Sequence, residues 1–281
     1  MSKKVFPNFL FIGPDKTGSS WMYEILAAHP QCFVPVIKDL YFFDRYYDRG
    51  LDWYLTFFEP APDNAIALGE LSHDYLFSPA AAQRIEADLP DVRLMTCLRN
   101  PVDRSFSHYL YLVRSGLTKQ NFEQALDAFP ELVNNSLYGR HLKTYLNLFP
   151  RERILALQFD DLKRDSRAFA ETMFNFLGLP YLPDLPYNEQ VRPASRPRSH
   201  ALARIAKQGA NFARDLGLAR LVGILKDSPP ARVLYRPYGK EEKPRIMPET
   251  RKRLADVFAD DIDMLEGLLN DNFQHWLDEA A

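Results

Sequence analysis

Cysteine is scarce in this chain: Cys32 and Cys97 are the 2 among 281 residues. Both sit among apolar residues, and no C-x-x-C pair occurs. Neither a disulfide framework nor a zinc site is suggested, and a reducing cytoplasm is the expected compartment. An excess of either charge sign is also lacking, since 35 Lys and Arg against 37 Asp and Glu leave a formal net charge of −2. No global basic footprint for nucleic acid exists, so any anion-binding surface must be local. No apolar run approaches the ~20 residues of a membrane span. The run after Lys3 and Lys4 is short and broken by Pro7 and Asn8, so no leader peptide is expected. Internal repeats are missing too, which excludes solenoids and propellers.

What is present is apolar material: 46% hydrophobic and 13% aromatic residues, enough for a substantial core. The length suits one large domain or two small ones. No long polar linker divides the chain, so a single domain over 1–281 is expected, with a core over about 5–180. A basic loop and a helical C-terminal part follow over 181–281.

Near the start, Phe9-Leu10-Phe11-Ile12 runs straight into Gly13-Pro14-Asp15-Lys16-Thr17-Gly18-Ser19-Ser20-Trp21. After Gly18, Trp21, Met22, Ile25 and Leu26 recur at helical spacing. The pattern predicts a buried strand, a tight loop and a helix whose first residues are small hydroxyl residues. Backbone N–H groups converge at such a helix start, and the helix dipole favours an anion there. Gly13 and Gly18 have the spacing of the nucleotide phosphate loop G-x-x-x-x-G-K-[ST]. The residue after Gly18 is Ser19 rather than lysine, and the lysine stands at Lys16. The loop suits phosphate oxygens, with its cation arriving from a different place.

Further strands are predicted at Ala65–Glu70, Val92–Leu98 and Arg153–Phe159, each followed by helical pattern. Cys32–Asp44 reads as irregular, with room for a short helix, and Leu51–Phe58 as a short helix. Ser78-Pro79 and Asn100-Pro101 are cap-plus-proline helix starts. Helices are expected over Asn134–Leu148, Ser166–Leu177 (ended by Gly178), His200–Leu225 and Pro248–Leu269. Tyr181–Ser199, rich in proline and carrying Arg192, Arg196 and Arg198, reads as a long loop. Alternating strands and helices predict an α/β fold: a P-loop-like central parallel β-sheet flanked by helices, with a helical C-terminal extension. In such sheets ligands bind beyond the carboxyl ends of the strands. The residues there are the Lys16 loop, Ser72, His73, Arg99 and Asp160.

Arg99 ends a strand, and Ser107 lies within the next helix. An arginine fork with a hydroxyl suits a second phosphate group. Together the two segments resemble the 3′-phosphoadenosine 5′-phosphosulfate (PAPS)-dependent sulfotransferase superfamily. PDKTGSSW resembles its 5′-phosphosulfate loop, and RLMTCLRNPVDRSFSHY its 3′-phosphate motif. KDLYFFD resembles the K-E-x-x-F-F-D segment of the heparan sulfate sulfotransferases, and GELSHDYLF their second-strand motif. The resemblance covers residues 5–180 and is looser beyond.

The resemblance implies in-line transfer of a sulfuryl group from PAPS to a hydroxyl or amine of a small molecule or glycan, leaving the bisphosphate PAP, without a metal. It implies cofactor contacts at Lys16, Thr17, Gly18, Ser19, Ser20, Trp21, Arg99 and Ser107, and at Arg196 and Arg198 in the basic loop. Lys16 would also be catalytic, meeting charge on the leaving oxygen. Two residues compete as the base. Asp39 matches the glutamate of K-E-x-x-F-F-D, one methylene shorter. His73 matches the histidine of the K-T-H motif of small-molecule sulfotransferases, with Leu71 where lysine is expected. A free histidine titrates near ~6.5, which suits proton abstraction better than an unshifted aspartate. The alternatives are a P-loop nucleotide kinase, with Asp160 as its magnesium ligand, and a non-catalytic nucleotide-binding protein.

Overall fold

The computed structural model of the chain describes residues 4–188, 195–216, 235–238, 242 and 244–278. In chain order the elements begin with β1 (Phe9–Gly13), α1 (Ser19–Ala28), β2 (Cys32–Phe33), α2 (Phe42–Arg45), α3 (Leu51–Leu55), β3 (Ala67–Leu71) and α4 (Pro79–Asp88). Next come β4 (Arg93–Leu98), α5 (Pro101–Arg114), α6 (Phe122–Ala128), α7 (Glu131–Asn134), α8 (Tyr138–Leu146), β5 (Ile154–Gln158), α9 (Phe159–Arg164) and α10 (Ser166–Leu177). The last are β6 (Ser195–Pro197), α11 (His200–Asp215), β7 (Tyr235–Pro237), α12 (Pro248–Leu269) and α13 (His275–Asp278). They fall into two compact units, Met1–Arg99 with Tyr138–Val191, and Asn100–Leu137 with Arg192–Ala281.

The first unit is built on a five-stranded sheet of order β2-β3-β1-β4-β5, parallel throughout. Phe9 to Ile12 are fully buried, so both faces of β1 are covered, as an unbroken apolar run in a parallel sheet requires. Burial of each such side chain stabilises the fold by roughly 1.5–3 kcal/mol. Phe9 and Phe11 join a core with Trp21, Met22, Ile25 and Leu26 of α1 and Phe169, Met173 and Phe174 of α10. The strand order reverses at β1, with β3 on one side and β4 on the other. Such a switch point opens a crevice at the carboxyl ends of the strands. Cys32 and Cys97 are free, buried thiols in this unit, and burial alone pushes Cys32 up to about 12.

The second unit gathers helices around α5. Asn100 caps α5 by accepting from the N–H groups of Val102 and Asp103, and its amide donates to Trp276 O at 3.0 Å. Arg104, fully buried, donates to Glu131 O and Ser136 Oγ and meets His108 Nδ1 at 2.8 Å. Arg251 of α12 pairs with Asp103 at 2.7 Å. No described helix is long and apolar enough to cross a membrane.

The pattern located the longer elements of the sheet and its flanking helices and missed some boundaries and short elements. Asn134–Leu148 is not one helix: α7 ends at Asn134 and α8 begins at Tyr138. Between them Ser136 turns its hydroxyl onto Leu132 O, a local bond that competes with helix continuation. Strand β2 was not foreseen, because 2 residues show no periodicity. The expected loop over 181–199 contains β6, which pairs antiparallel with β7. Pro197 of β6 and Pro237 of β7 fit an extended edge position, where a missing N–H costs nothing. Arg192 and the expected helical stretch 217–225 lie outside the described residues.

Gly69 of β3 faces β1 so closely that an added Cβ would clash with the carbonyl and ring of Phe9. Gly69→Ala should therefore destabilise the chain by about 1–3 kcal/mol, the usual cost of overpacking. Urea denaturation measures it, and an unchanged midpoint would contradict this packing.

Candidate active site

The loop between β1 and α1 turns through three residues of positive φ: Gly13 (121°), Lys16 (68°) and Gly18 (91°). Thr17 is fully buried and its hydroxyl donates to Pro14 O at 2.8 Å, closing the turn. Thr96 of β4 donates to Gly13 O at 2.7 Å and ties the loop to the sheet. Helix α1 has Gly18 at its N-cap and no side-chain cap. The N–H groups of its first turn are thus not claimed by a capping side chain, which suits an anionic ligand. Lys16 Nζ lies 3.8 Å from Asp15 Oδ2, and Lys16 O accepts from Arg99 Nη1 at 3.3 Å. Arg99 stacks over the Phe159 ring at 5.0 Å, while Tyr138 OH donates to its carbonyl. The guanidinium at the end of β4 and the lysine loop are therefore neighbours within one unit.

Asp39 and His73, rival bases in the sequence, are hydrogen-bonded to each other. His73 Nδ1 lies 2.7 Å from Asp39 Oδ1. With Asp39 ionised, Nδ1–H donates to the carboxylate and Nε2 is left as the proton acceptor. Nε2 meets Tyr41 OH at 3.2 Å and Asp74 Oδ1 at 3.4 Å. Burial acts to lower the His73 pKa, but the charges of Asp39, Asp74 and Asp15 and the Asp39 hydrogen bond outweigh it, and the net shift is upward. The pair abuts the loop: an added Cβ on Gly13 would collide with the His73 carbonyl.

Lys38 is the residue that sequence reasoning missed. Its Nζ donates to Ser19 Oγ at 2.9 Å and lies 3.6 Å from Asp39 Oδ1. It therefore joins Asp39 to the first residue of α1. The one available signal was its place next to Asp39 in KDLYFFD.

Other expected site residues are placed as follows. Ser19 is buried and Ser20 half-buried at the start of α1. Trp21 is buried, stacks edge-on against Phe169 and donates its indole N–H to Tyr187 O at 3.1 Å. Ser107 is half-buried on α5 in the second unit. Arg196 of β6 forms an ion pair with Glu242, and Arg198 is exposed. Asp160, the magnesium ligand that a kinase would use, pairs with Lys163 at 2.7 Å.

The sulfotransferase domain family matches residues 6–196, and the chain belongs to that family. It is 31% identical over 208 residues to the human (Homo sapiens) bifunctional heparan sulfate N-deacetylase/N-sulfotransferase 3, covering 66% of this chain and 23% of that protein. It is 30% identical over 185 residues to mouse (Mus musculus) heparan sulfate glucosamine 3-O-sulfotransferase 6, covering 63% of this chain and 54% of that one. The chain thus spans about a quarter of the first relative's length and about half of the second's. The fold is shared with a sulfotransferase from Alicyclobacillus acidocaldarius, at TM-score 0.71 and 24% identity over 97% of this chain and 99% of that one.

A raised His73 pKa means that the folded chain holds a proton the unfolded chain releases near ~6.5. The pair therefore stabilises the fold fully below that pH, and the contribution fades as pH rises through the raised value. An NMR titration should put His73 above 6.5, and Asp39→Asn should lower it. Equal titration in both proteins would remove Asp39 as the cause.

Proposed function

We propose that this chain transfers a sulfuryl group from PAPS to a hydroxyl or amine of an acceptor. The observation that carries the reading is the meeting of an anion loop with an oriented proton acceptor: His73, held by Asp39, packs its backbone on Gly13. Bound in that loop, PAPS would supply the sulfuryl group, with PAP as the leaving group. The donor set fits such a group: the uncapped first turn of α1, the hydroxyls of Ser19 and Ser20, and the Lys16 ammonium, while the Thr17 hydroxyl, expected among them, is spent on Pro14 O. Arg99 is proposed for the 3′-phosphate, and Ser107, Arg196 and Arg198 remain phosphate-binding candidates by motif. Arg196 would exchange Glu242 for phosphate.

The roles follow from chemistry. Asp39 fixes the tautomer that leaves Nε2 of His73 as base, and Nε2 takes the acceptor's proton. Lys16 meets charge that grows on the leaving oxygen, so its effect is larger in the transition state than in the ground state. Lys38 brings a second ammonium to Ser19 at the start of α1, while Leu71 stands at the lysine position of the related motif. The acceptor is proposed to be a glycan or a small molecule. Arg45 over Tyr41 (4.1 Å) and Arg49 over Tyr46 and Trp53 (4.7 and 4.9 Å) set ring faces beside positive charge along the Asp39 segment. Ring faces with cations suit a sugar bearing anionic groups, and the names of the heparan sulfate relatives agree with that.

PAP without metal should raise the melting temperature by mass action, and magnesium-ATP should raise it much less. The reverse order would sink the reading. Lys16→Ala should cut transfer from labelled PAPS by at least ~10²-fold, while PAP binding weakens far less. Near-normal turnover would take Lys16 out of the chemistry. Arg99→Ala should weaken PAP binding by roughly 1.5–3 kcal/mol, a charge-assisted bond, and affect a ligand without the 3′-phosphate far less. Equal losses for the two ligands would make Arg99 structural.

A further inference from the structure

The segment that carries Asp39 has an unusual backbone. Asp39 and Tyr41 both have positive φ, 67° and 54°, a region disfavoured for residues with a side chain. Four consecutive N–H groups hold it in place. Asp39 N–H donates to Leu71 O at 3.0 Å. Leu40 N–H donates to the Glu70 carboxyl. Tyr41 N–H donates to Ser72 Oγ at 3.1 Å, and Phe42 N–H to Tyr75 OH at 2.9 Å.

Glu70 stands behind all of the side-chain acceptors. It is buried, 1% exposed, at the end of β3. Its Oε2 accepts from Ser72 Oγ at 2.6 Å, and its Oε1 from Tyr75 OH at 2.7 Å and Tyr54 OH at 3.3 Å. The consequence is directional. Because both hydroxyls spend their hydrogens on the carboxylate, their lone pairs face outward and receive the N–H groups of Tyr41 and Phe42. An acceptor-only group is needed at the centre of this arrangement, and a neutral amide cannot satisfy it. Whichever way a glutamine side chain is turned, one hydroxyl faces an NH2 group instead of an oxygen. Burial pushes the Glu70 pKa up to about 7, against the pull of its four donors, so this carboxyl is maintained at a solvation cost.

We infer that Glu70 is a positioning residue: through Ser72, Tyr75 and the Leu40 N–H it holds the strained 39–42 backbone so that Asp39 meets His73. The inference rests on the proposed base role of the Asp39–His73 pair, but its physical content does not need sulfuryl transfer. Asp39, Asp74, Asp15, Asp44 and Tyr41 face His73, and of these the hub controls the segment bearing Asp39 and Tyr41.

Glu70→Gln tests it in the full chain by NMR titration of the histidines, with His73→Asn assigning the resonance. The expected result is a His73 pKa displaced from the wild-type value toward 6.5, with PAP affinity within about threefold of wild type. At saturating PAPS and acceptor, kcat should fall at least about tenfold with little change in KM for PAPS. Should Glu70→Gln fail to fold, Ser72→Ala and Tyr75→Phe remove one outward acceptor each and should displace the same resonance in the same direction. A folded Glu70→Gln, or both single variants, with the wild-type His73 pKa would overturn the inference, even if melting temperatures drop. A displaced pKa in a protein that transfers no sulfuryl group would uphold the positioning and defeat the proposed reaction. A wild-type pKa in an active sulfotransferase would do the opposite.

Discussion

The register between β1 and β3 is the constraint on which the site depends. Phe11 pairs with Leu71, and Ser72 N–H continues the ladder onto Phe11 O. Strand β1 runs two residues beyond that pair to Gly13, and the chain leaving β3 follows it, so Gly13 meets the backbone of His73. A slip of one residue would turn the apolar faces of β3 to the wrong side. Gly13 has no Cβ to hold His73 away, so the loop and His73 share a wall. The strand order reverses at the same strand, which opens the space where the phosphate-type loop faces outward.

A second consequence of that register is that the KDLYFFD segment is held by the end of β3. Lys38 reaches Ser19, and Asp39 reaches His73, from a backbone with two residues of positive φ. Strain of this kind persists only where surrounding contacts fix it. Here these are the backbone N–H donors bound to the end of β3 and the residues just after it. The electrostatics are set by the same placement: an acid beside the imidazole raises its pKa, and the Lys38 ammonium lies 3.6 Å from that acid.

Much of this was legible in the sequence. The apolar run into Gly13, the cap-plus-proline starts at Ser78 and Asn100, and the ends of α10 and α12 are local signals, and local signals survive folding. Lys16, Arg99, Asp39 and His73 were each singled out as candidates by their places after strands or in motifs. What was not legible was their pairing. Asp39 and His73 are 34 positions apart. Their hydrogen bond depends on strand register and on a four-donor clamp, and neither leaves a periodic trace. Lys38 was hidden for the same reason, since its partner Ser19 lies on another element. Strand β2 and the β6–β7 ladder are too short for any pattern to rise above composition.

The central claim is that one crevice at the end of β1 holds both the sulfuryl donor and the base that serves the acceptor. A crystal structure with PAP tests it most directly. The account predicts the 5′-phosphate in the loop of residues 14–20 with Lys16 Nζ on it, the Asp39–His73 hydrogen bond intact, and Nε2 of His73 opening toward that phosphate. A bisphosphate seated away from this loop, or an imidazole turned away from it, would contradict the account.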